Sequence, residues 1–247
     1  MKKLNILGVR VDEISFYDTL LRAEEAVESR KPAHFISLSA LTVLDALKDL
    51  EFLRIINKAS VVNCDGAGVK LAVKILYGKK IEKVSGVDLL PFLCRLCSER
   101  GFSVFFFGST KQAAGGTAKR MKKRFPKLRV AGFLDGYSFR DSVKSTIEKI
   151  RKAKPDVLFV GLGQPAQEKW IEKNIGAVKS PVCLGVGGSF DVISGRLKRS
   201  PYLFQKVGLE WAYRMFLEPW RIKRILRLFV FMYLVIKEKF SLRRRIK

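Results

Sequence analysis

Two stretches of this sequence carry residue types and spacings that do chemistry. Asp65-Gly66-Ala67-Gly68 sets a carboxylate beside two glycines, directly after the short apolar run Ser60 to Asn63. Such a carboxylate either caps a turn or meets a substrate as a proton acceptor. The second stretch runs from Pro155 to Trp170. Val157 to Val160 is an unbroken apolar run, as in a parallel strand buried on both faces. Gly161 and Gly163 then permit a tight turn with exposed backbone. Pro165 suits the first turn of the helix continued by Gln167-Glu168-Lys169-Trp170. Strand, glycine turn and helix N-terminus together make a cradle for a phosphate or other anion; the alternative is an ordinary β-to-α turn.

Other chemistries find little support. The only histidine, His34, opens a strand-like segment. Cys94-x-x-Cys97 is half of a zinc spacing with no second half, and its neighbours Leu89, Leu90, Phe92, Leu93 and Leu96 place it on a buried helix. No turn is a Walker A loop or carries the full dinucleotide-binding glycine pattern. There is no Asp-x-Asp pair of the kind that holds a divalent metal in many sugar-nucleotide enzymes.

The elements that must position these residues follow from apolar periodicity. Strands are expected at Asn5 to Val11, His34 to Leu38, Ser60 to Asn63, Ser103 to Phe107, Arg129 to Phe133, Val157 to Val160 and Pro181 to Val186. Helices are expected between them: from a cap at Ser15 to about Ser29, from Ala40 to Asn57, through Leu76, around Cys94, to Arg124, and from about Arg140 to Lys152. Strand alternating with helix predicts an α/β fold, a largely parallel, Rossmann-like sheet with helices on both faces. Several strands end in glycine turns: Gly108-Ser109, Asp135-Gly136-Tyr137, Gly161-Leu162-Gly163 and Gly187-Gly188. At one sheet edge they would line a single crevice.

The chain has 48 Lys and Arg against 23 Asp and Glu, a formal charge of +25. That balance points to nucleic acid, an anionic membrane or a phosphorylated ligand. Fifteen of the cations, against three Glu, lie from Arg196 onward. This defines an α/β domain over 1–195 and a basic helical appendage over 196–247. In the appendage a helix is expected over Leu209 to Leu217, a break at Pro219, and a second helix bearing Arg221 and Arg224 on one face. Its apolar run, Leu228 to Ile236, is far shorter than the roughly 20 residues a bilayer span needs. With basic flanks, it fits a helix lying on an anionic membrane surface; the alternative is packing against the body or another subunit of a homo-oligomer. No secretory signal is visible at the N-terminus, so a reducing compartment is expected. No helix-turn-helix signature, zinc knuckle or aromatic-basic RNA motif accompanies the charge, so no nucleic-acid partner is expected.

Five ordered blocks resemble the bacterial WecG/TagA/CpsF glycosyltransferases over nearly the whole chain. Asp65-Gly66-Ala67-Gly68 is similar to the family's Asp-Gly-x-Gly, and Gly86-Val87-Asp88-Leu89 to its Gly-x-Asp-Leu. Gly161 to Trp170 resembles its Gly-x-Gly-Ala-Pro-Lys-Gln-Glu-Lys-Trp. Gly187-Gly188-Ser189-Phe190-Asp191, with Gly195 and Lys198 to Pro201, resembles a fourth block; Leu209-Glu210-Trp211, Tyr213-Arg214 and Glu218-Pro219-Trp220-Arg221 resemble the last. The resemblance implies inverting, metal-independent transfer of a sugar, typically N-acetylmannosamine, from a UDP-sugar to a polyprenyl-diphosphate-linked sugar of the GlcNAc type. The products feed teichoic acid, common antigen or exopolysaccharide. It also implies peripheral attachment to the cytoplasmic face of the membrane through the appendage. No cofactor is expected.

By the same resemblance Asp65 is the base. Lys83, Arg214, Arg221 and Arg224 are the cations that answer the leaving diphosphate, work that falls to them and to helix amides when no metal takes part. The substrate-binding set is Ser37, Ser39, Gly66, Asp88, Gly108, Ser109, Gly136, Tyr137, Gly163, Gln164, Gln167, Glu168, Gly187, Gly188 and Asp191. Gln167 is expected to act as a side-chain donor; Tyr137 stacks on uracil or simply packs. Three departures bear on the sugar. Ser37-x-Ser39 stands for Thr-x-Asn, Lys83 for an Arg, and Gln164 and Ala166 for Ala and Lys. Ser lacks the amide's paired donor and acceptor, and Lys lacks the guanidinium fork, so another hexose is open. The readings from other classes are an inactive UDP-sugar or lipid-diphosphate binder and a basic nucleic-acid-binding protein.

Overall fold

A computed structural model describes residues 1–137, 143–198, 201 and 222–246 of the chain. Six strands form one parallel sheet: β3 (Ala33–Leu38), β4 (Val61–Cys64), β5 (Ser103–Gly108), β6 (Arg129–Leu134), β7 (Val157–Gly161) and β8 (Val182–Gly185). Their order is β4-β3-β8-β7-β5-β6, and every pairing is parallel. The central strands are buried at every position, which is why they read as unbroken apolar runs.

Alternate residues feed two layers. Phe35, Val104, Phe106, Phe159 and Leu184 meet α1 (Phe16–Glu28), α5 (Gly86–Arg100) and α6 (Lys111–Arg124). On the other face Phe105, Phe107, Leu158 and Val160 meet α7 (Val143–Ala153) and α8 (Ala166–Val178). There too Ile36, Leu38 and Val62 meet α2 (Ala40–Ala46), α3 (Leu50–Lys58) and α4 (Ala67–Tyr77). From β5 the chain leads outward to β6, whereas from β7 it leads the opposite way to β8. The gap between β5 and β7 is therefore a topological switch point, where open α/β sheets receive ligands at the carboxyl ends of the strands.

Two local readings change. The strand expected at Asn5 to Val11 is a hairpin, β1 (Lys2–Ile6) and β2 (Val9–Glu13), reversed at Leu7 and Gly8, which have φ of 56° and 85°. It shields the edge strand β4: Asp12 accepts from Val62 N at 2.8 Å and holds Arg10 through two bonds of 2.7 and 2.8 Å. The helix expected over Ala40 to Asn57 is split into α2 and α3, because Asp49 leaves helical geometry to cap α3 at Phe52 N. The helix at Cys94 is buried as expected, and both of its thiols are free and enclosed.

Beyond the short α9 (Ser189–Ile193), a long helix, α10 (Ile222–Ile246), lies across α2 and α4. Phe231 and Val235 are fully buried there, Arg227 pairs with Asp45, and Lys239 bonds Leu76 O at 2.7 Å. Its opposite side leaves Leu226, Phe229, Val230, Tyr233, Ile236 and Phe240 exposed. The appendage helix thus packs on the body and still presents an apolar stripe. Among the described residues no helix is long and apolar enough to cross a membrane.

Candidate functional site

The glycine turns do share one edge. Asp65, Ser39, Gly187, Gly163, Ser109 and Asp135 all lie just past the carboxyl ends of their strands. Asp65 is partly exposed and its N–H donates to Leu38 O at 2.8 Å, which fixes the turn after β4 against the end of β3. Gly66 follows with φ of 106°, and a side chain there would meet no atom within 4 Å. Gly68 serves packing: a Cβ would lie 2.9 Å from that of Ala40, with Phe231 of α10 at 3.9 Å. Lys83 is brought to the same place by Val84 N, which donates to Cys64 O at 2.8 Å. Burial, then the Asp65 charge, pushes the Cys64 thiol up to about 12, and Lys70 and Lys83 oppose that rise. Asp65 and Lys83 therefore both lie at the end of β4, beside the open face of Gly66.

At the switch point the backbones approach closely. A Cβ on Gly108 would lie 2.5 Å from the Gly161 carbonyl, and Gly108 has φ of 122°. Ser109 N donates to Gly161 O and Gly136 N to Ser109 O, each at 2.8 Å. These bonds fold the loop after β6 inward over Gly108, and the next residue, Tyr137, is 63 % exposed. Thr110 caps α6 through Ala113 N, so the first amides of that helix face the same opening. Ser109 Oγ donates to Asp191 Oδ2 at 3.1 Å, and Arg196 reaches both Asp191 and Thr110. Gly163, Gly187 and Gly188 have open space where a side chain would stand.

The motif between Gln164 and Glu168 has another place. Gln167 was expected as a donor to ligand, yet it is 1 % exposed. Its Nε2 donates to Glu168 Oε1 at 2.7 Å and its Oε1 accepts from Gly187 N at 2.9 Å. Gln164 donates to Ser37 O and to Glu168 Oε1, and accepts from Thr42 Oγ1. Glu168 is fully buried with Oε2 unpartnered among the described residues, and burial pushes its carboxyl up to about 7. These amides lie so flat beneath β8 that a Cβ on Gly185 would be 2.6 Å from Gln167 Nε2. They brace the Gly187 loop and the end of β3 from below.

Ser39 is likewise engaged within the fold, and Ser37 is enclosed. Ser39 caps α2 in a reciprocal box with Thr42. Ser37 Oγ is buried without a partner among the described residues, 3.6 Å from where a Cβ on Gly86 would be. Beside it Asn63, which pairs with Ser37 in register, accepts from Thr19 and leaves Nδ2 unpartnered among the described residues. Asp88 sits in the first turn of α5 and accepts from Ser85 Oγ at 2.5 Å. His34 is enclosed at the start of β3, away from this edge, and burial lowers it to about 3.

Arg214 and Arg221 lie outside the described residues, as do the helix expected at Leu209, the break at Pro219 and the side chain of Arg224. Thr42 and Arg196 were missed from sequence. Thr42 could have been found from its spacing three residues after Ser39, and Arg196 from its place after Gly195 in the fourth block.

The profile of the Glycosyl transferase WecG/TagA/CpsF family matches residues 4–245. The chain is 29 % identical over 235 residues to an N-acetylglucosaminyldiphosphoundecaprenol N-acetyl-beta-D-mannosaminyltransferase of Bacillus subtilis, covering 95 % of this chain and 90 % of that protein. A protein of the same name from Bacillus spizizenii is 32 % identical, covering 86 % of this chain and 82 % of its own length. Another, from Staphylococcus aureus, is 30 % identical, covering 96 % and 93 %.

Proposed function

This chain belongs to the WecG/TagA/CpsF glycosyl transferase family, and from that premise we propose that it moves N-acetylmannosamine or a related hexose from a UDP-sugar to a polyprenyl-diphosphate-linked GlcNAc acceptor. The relatives' names carry the acceptor and the sugar. The nucleotide and the residue roles rest on the crevice.

One observation carries the reading. Asp65 and the glycine cradle of β5 and β7 open on the same sheet edge, with β3 and β8 between β4 and β7. Three to four strand spacings separate them, about 14–19 Å. An extended nucleotide-diphosphate sugar covers that span. The uracil lies by Tyr137 and Gly136, the diphosphate over Gly108, Gly163 and Gly187, and the sugar reaches Asp65. Ser109 and Asp191 take ribose hydroxyls at the cradle. The acceptor hydroxyl attacks the anomeric carbon as Asp65 removes its proton. The bond from that carbon to the diphosphate oxygen breaks on the opposite face, UDP departs, and the configuration inverts. Lys83, Arg214, Arg221 and Arg224, with the amides at the start of α6, answer the charge that grows on the diphosphate. The reaction uses no metal and no cofactor.

The enzyme works as a peripheral protein at the cytoplasmic face of the membrane. The exposed stripe of α10 beside its basic flanks supports this, since such a helix lies in the headgroup region and brings the crevice to a lipid-linked acceptor. A panel of UDP-sugars with a short-chain polyprenyl-diphosphate-GlcNAc acceptor tests the reading. UDP release and a disaccharide product are expected with UDP-N-acetylmannosamine or a related hexose. UDP binding with no release from any donor refutes it in favour of a binding protein.

A further inference from the structure

At the opposite edge of the sheet a cavity of about 500 Å³ is lined by Arg30, Arg151, Lys152, Lys154 and Lys179. These residues come from the ends of α1, α7 and α8, where the chain turns into β3, β7 and β8. That edge lies a strand length from the crevice, about 17–20 Å. Arg30 is paired, to Asp156 at 2.8 Å. Arg151, Lys152, Lys154 and Lys179 are exposed and have no ion pair among the described residues, so four surface cations border one opening with no counter-charge found there among those residues.

The helix dipole does not account for them. It draws cations to any helix end, yet α4 and α5 close on Gly78 and Gly101 in the left-handed conformation. At the cavity the left-handed positions are Arg30, Lys154 and Lys179, with φ of 52°, 46° and 54°. Glycine adopts that conformation without the strain a side chain meets there. Long cations stand instead at all three positions, and all three line one cavity.

We propose that this cavity is a second anion site, separate from the crevice, for a ligand bearing two or more phosphate groups. A monovalent anion leaves most of the charge unanswered. Adjacent phosphates match several long cations gathered at the rim of one opening of this size, and Arg151 offers a planar fork to a phosphate that reaches it. The phosphates come either from a soluble polyphosphate or from neighbouring anionic lipid headgroups.

Calorimetric titration of the full chain with tripolyphosphate tests this, using Lys154→Gly combined with Lys179→Gly. Glycine suits both backbone positions, so the variant keeps its fold, and its melting temperature checks that. With UDP saturating the crevice, one tight class of site is expected to remain, and its affinity falls about tenfold or more in the double variant, following the lost charges. A control of equal charge, Lys2→Gln with Lys3→Gln, should change affinity less than twofold. Equal weakening in the control, or loss of all tripolyphosphate binding in saturating UDP, overturns it. Vesicles containing phosphatidylglycerol separate the sources. If the double variant loses vesicle binding in parallel, the ligand is a headgroup cluster; if vesicle binding is unchanged, it is a soluble polyphosphate.

Discussion

Replacing Glu168 by Gln should make the protein more stable at neutral pH, and by an amount the structure sets. Glu168 is fully buried, accepts from Gln164 and Gln167, and has no cation acting on it among the described residues. Its carboxyl is held at about 7 in the fold against an ordinary 4.5. Between those values the folded chain keeps a proton that the unfolded chain has released. Folding therefore takes up a proton, and stability falls as pH rises through this window. At about 1.4 kcal/mol per pH unit, the loss between pH 5 and 8 is about 2–3 kcal/mol. Gln preserves the acceptor for both neighbouring amides and has no charge to desolvate. Urea unfolding of both proteins from pH 5 to 8 measures the effect. The Gln variant should gain about 2–3 kcal/mol relative to the parent across that range, while effects of all other groups cancel. A stability difference independent of pH would show that Glu168 is ionised or solvated in the fold, and the bracing network would need redrawing.

Other perturbations have equally definite outcomes. Gly108→Ala should cost about 2–4 kcal/mol and abolish UDP binding, since its Cβ would press on the Gly161 carbonyl at 2.5 Å. Gly163→Ala, with open space but φ of 77°, should cost only about 1 kcal/mol in the same urea assay. His34 is neutral and buried, lowered to about 3 from 6.5, so its contribution is complete above pH 6.5 and lost as pH falls toward 3. His34→Leu should remove roughly 2 kcal/mol of the destabilisation between pH 6.5 and 5, read by urea unfolding. Phe229→Ser with Tyr233→Ser should weaken sedimentation with anionic vesicles about tenfold or more, since both rings are mostly exposed on α10. The packing of Phe231 and Val235, and hence the melting temperature, should persist.

The sheet was legible because its central strands are buried on both faces and so spell unbroken apolar runs, as from Val157 to Val160. Their glycine turns were legible because only glycine permits the approach of Gly108 to Gly161. Local periodicity failed where a short break left the apolar count intact. Leu7 and Gly8 reverse what reads as one strand, and Asp49 interrupts what reads as one helix. The inner role of Gln164, Gln167 and Glu168 was not legible, since their partners Ser37, Thr42 and Gly187 are distant in sequence and meet them only on folding. The basic cavity was hidden for the same reason. Arg30, Lys154 and Lys179 each look like an ordinary surface cation until three helix ends bring them together.

The family's blocks also need reading through the fold. Gly68 stands in the Asp65 motif because Ala40 and α10 press on it, whereas Gly66 is open toward the crevice. The same motif thus joins the proposed base to the helix that carries the exposed apolar stripe. Ser37 and Ser39 occupy positions where the family often has Thr and Asn, but one is enclosed and the other caps α2.

Single-turnover transfer by Asp65→Asn, measured beside its affinity for UDP, tests the central claim most directly. The side chain keeps its size but cannot accept the acceptor's proton. Transfer should fall by about a hundredfold or more, with UDP affinity within about twofold of the parent. Transfer at the parental rate would contradict it and move the base elsewhere in the crevice.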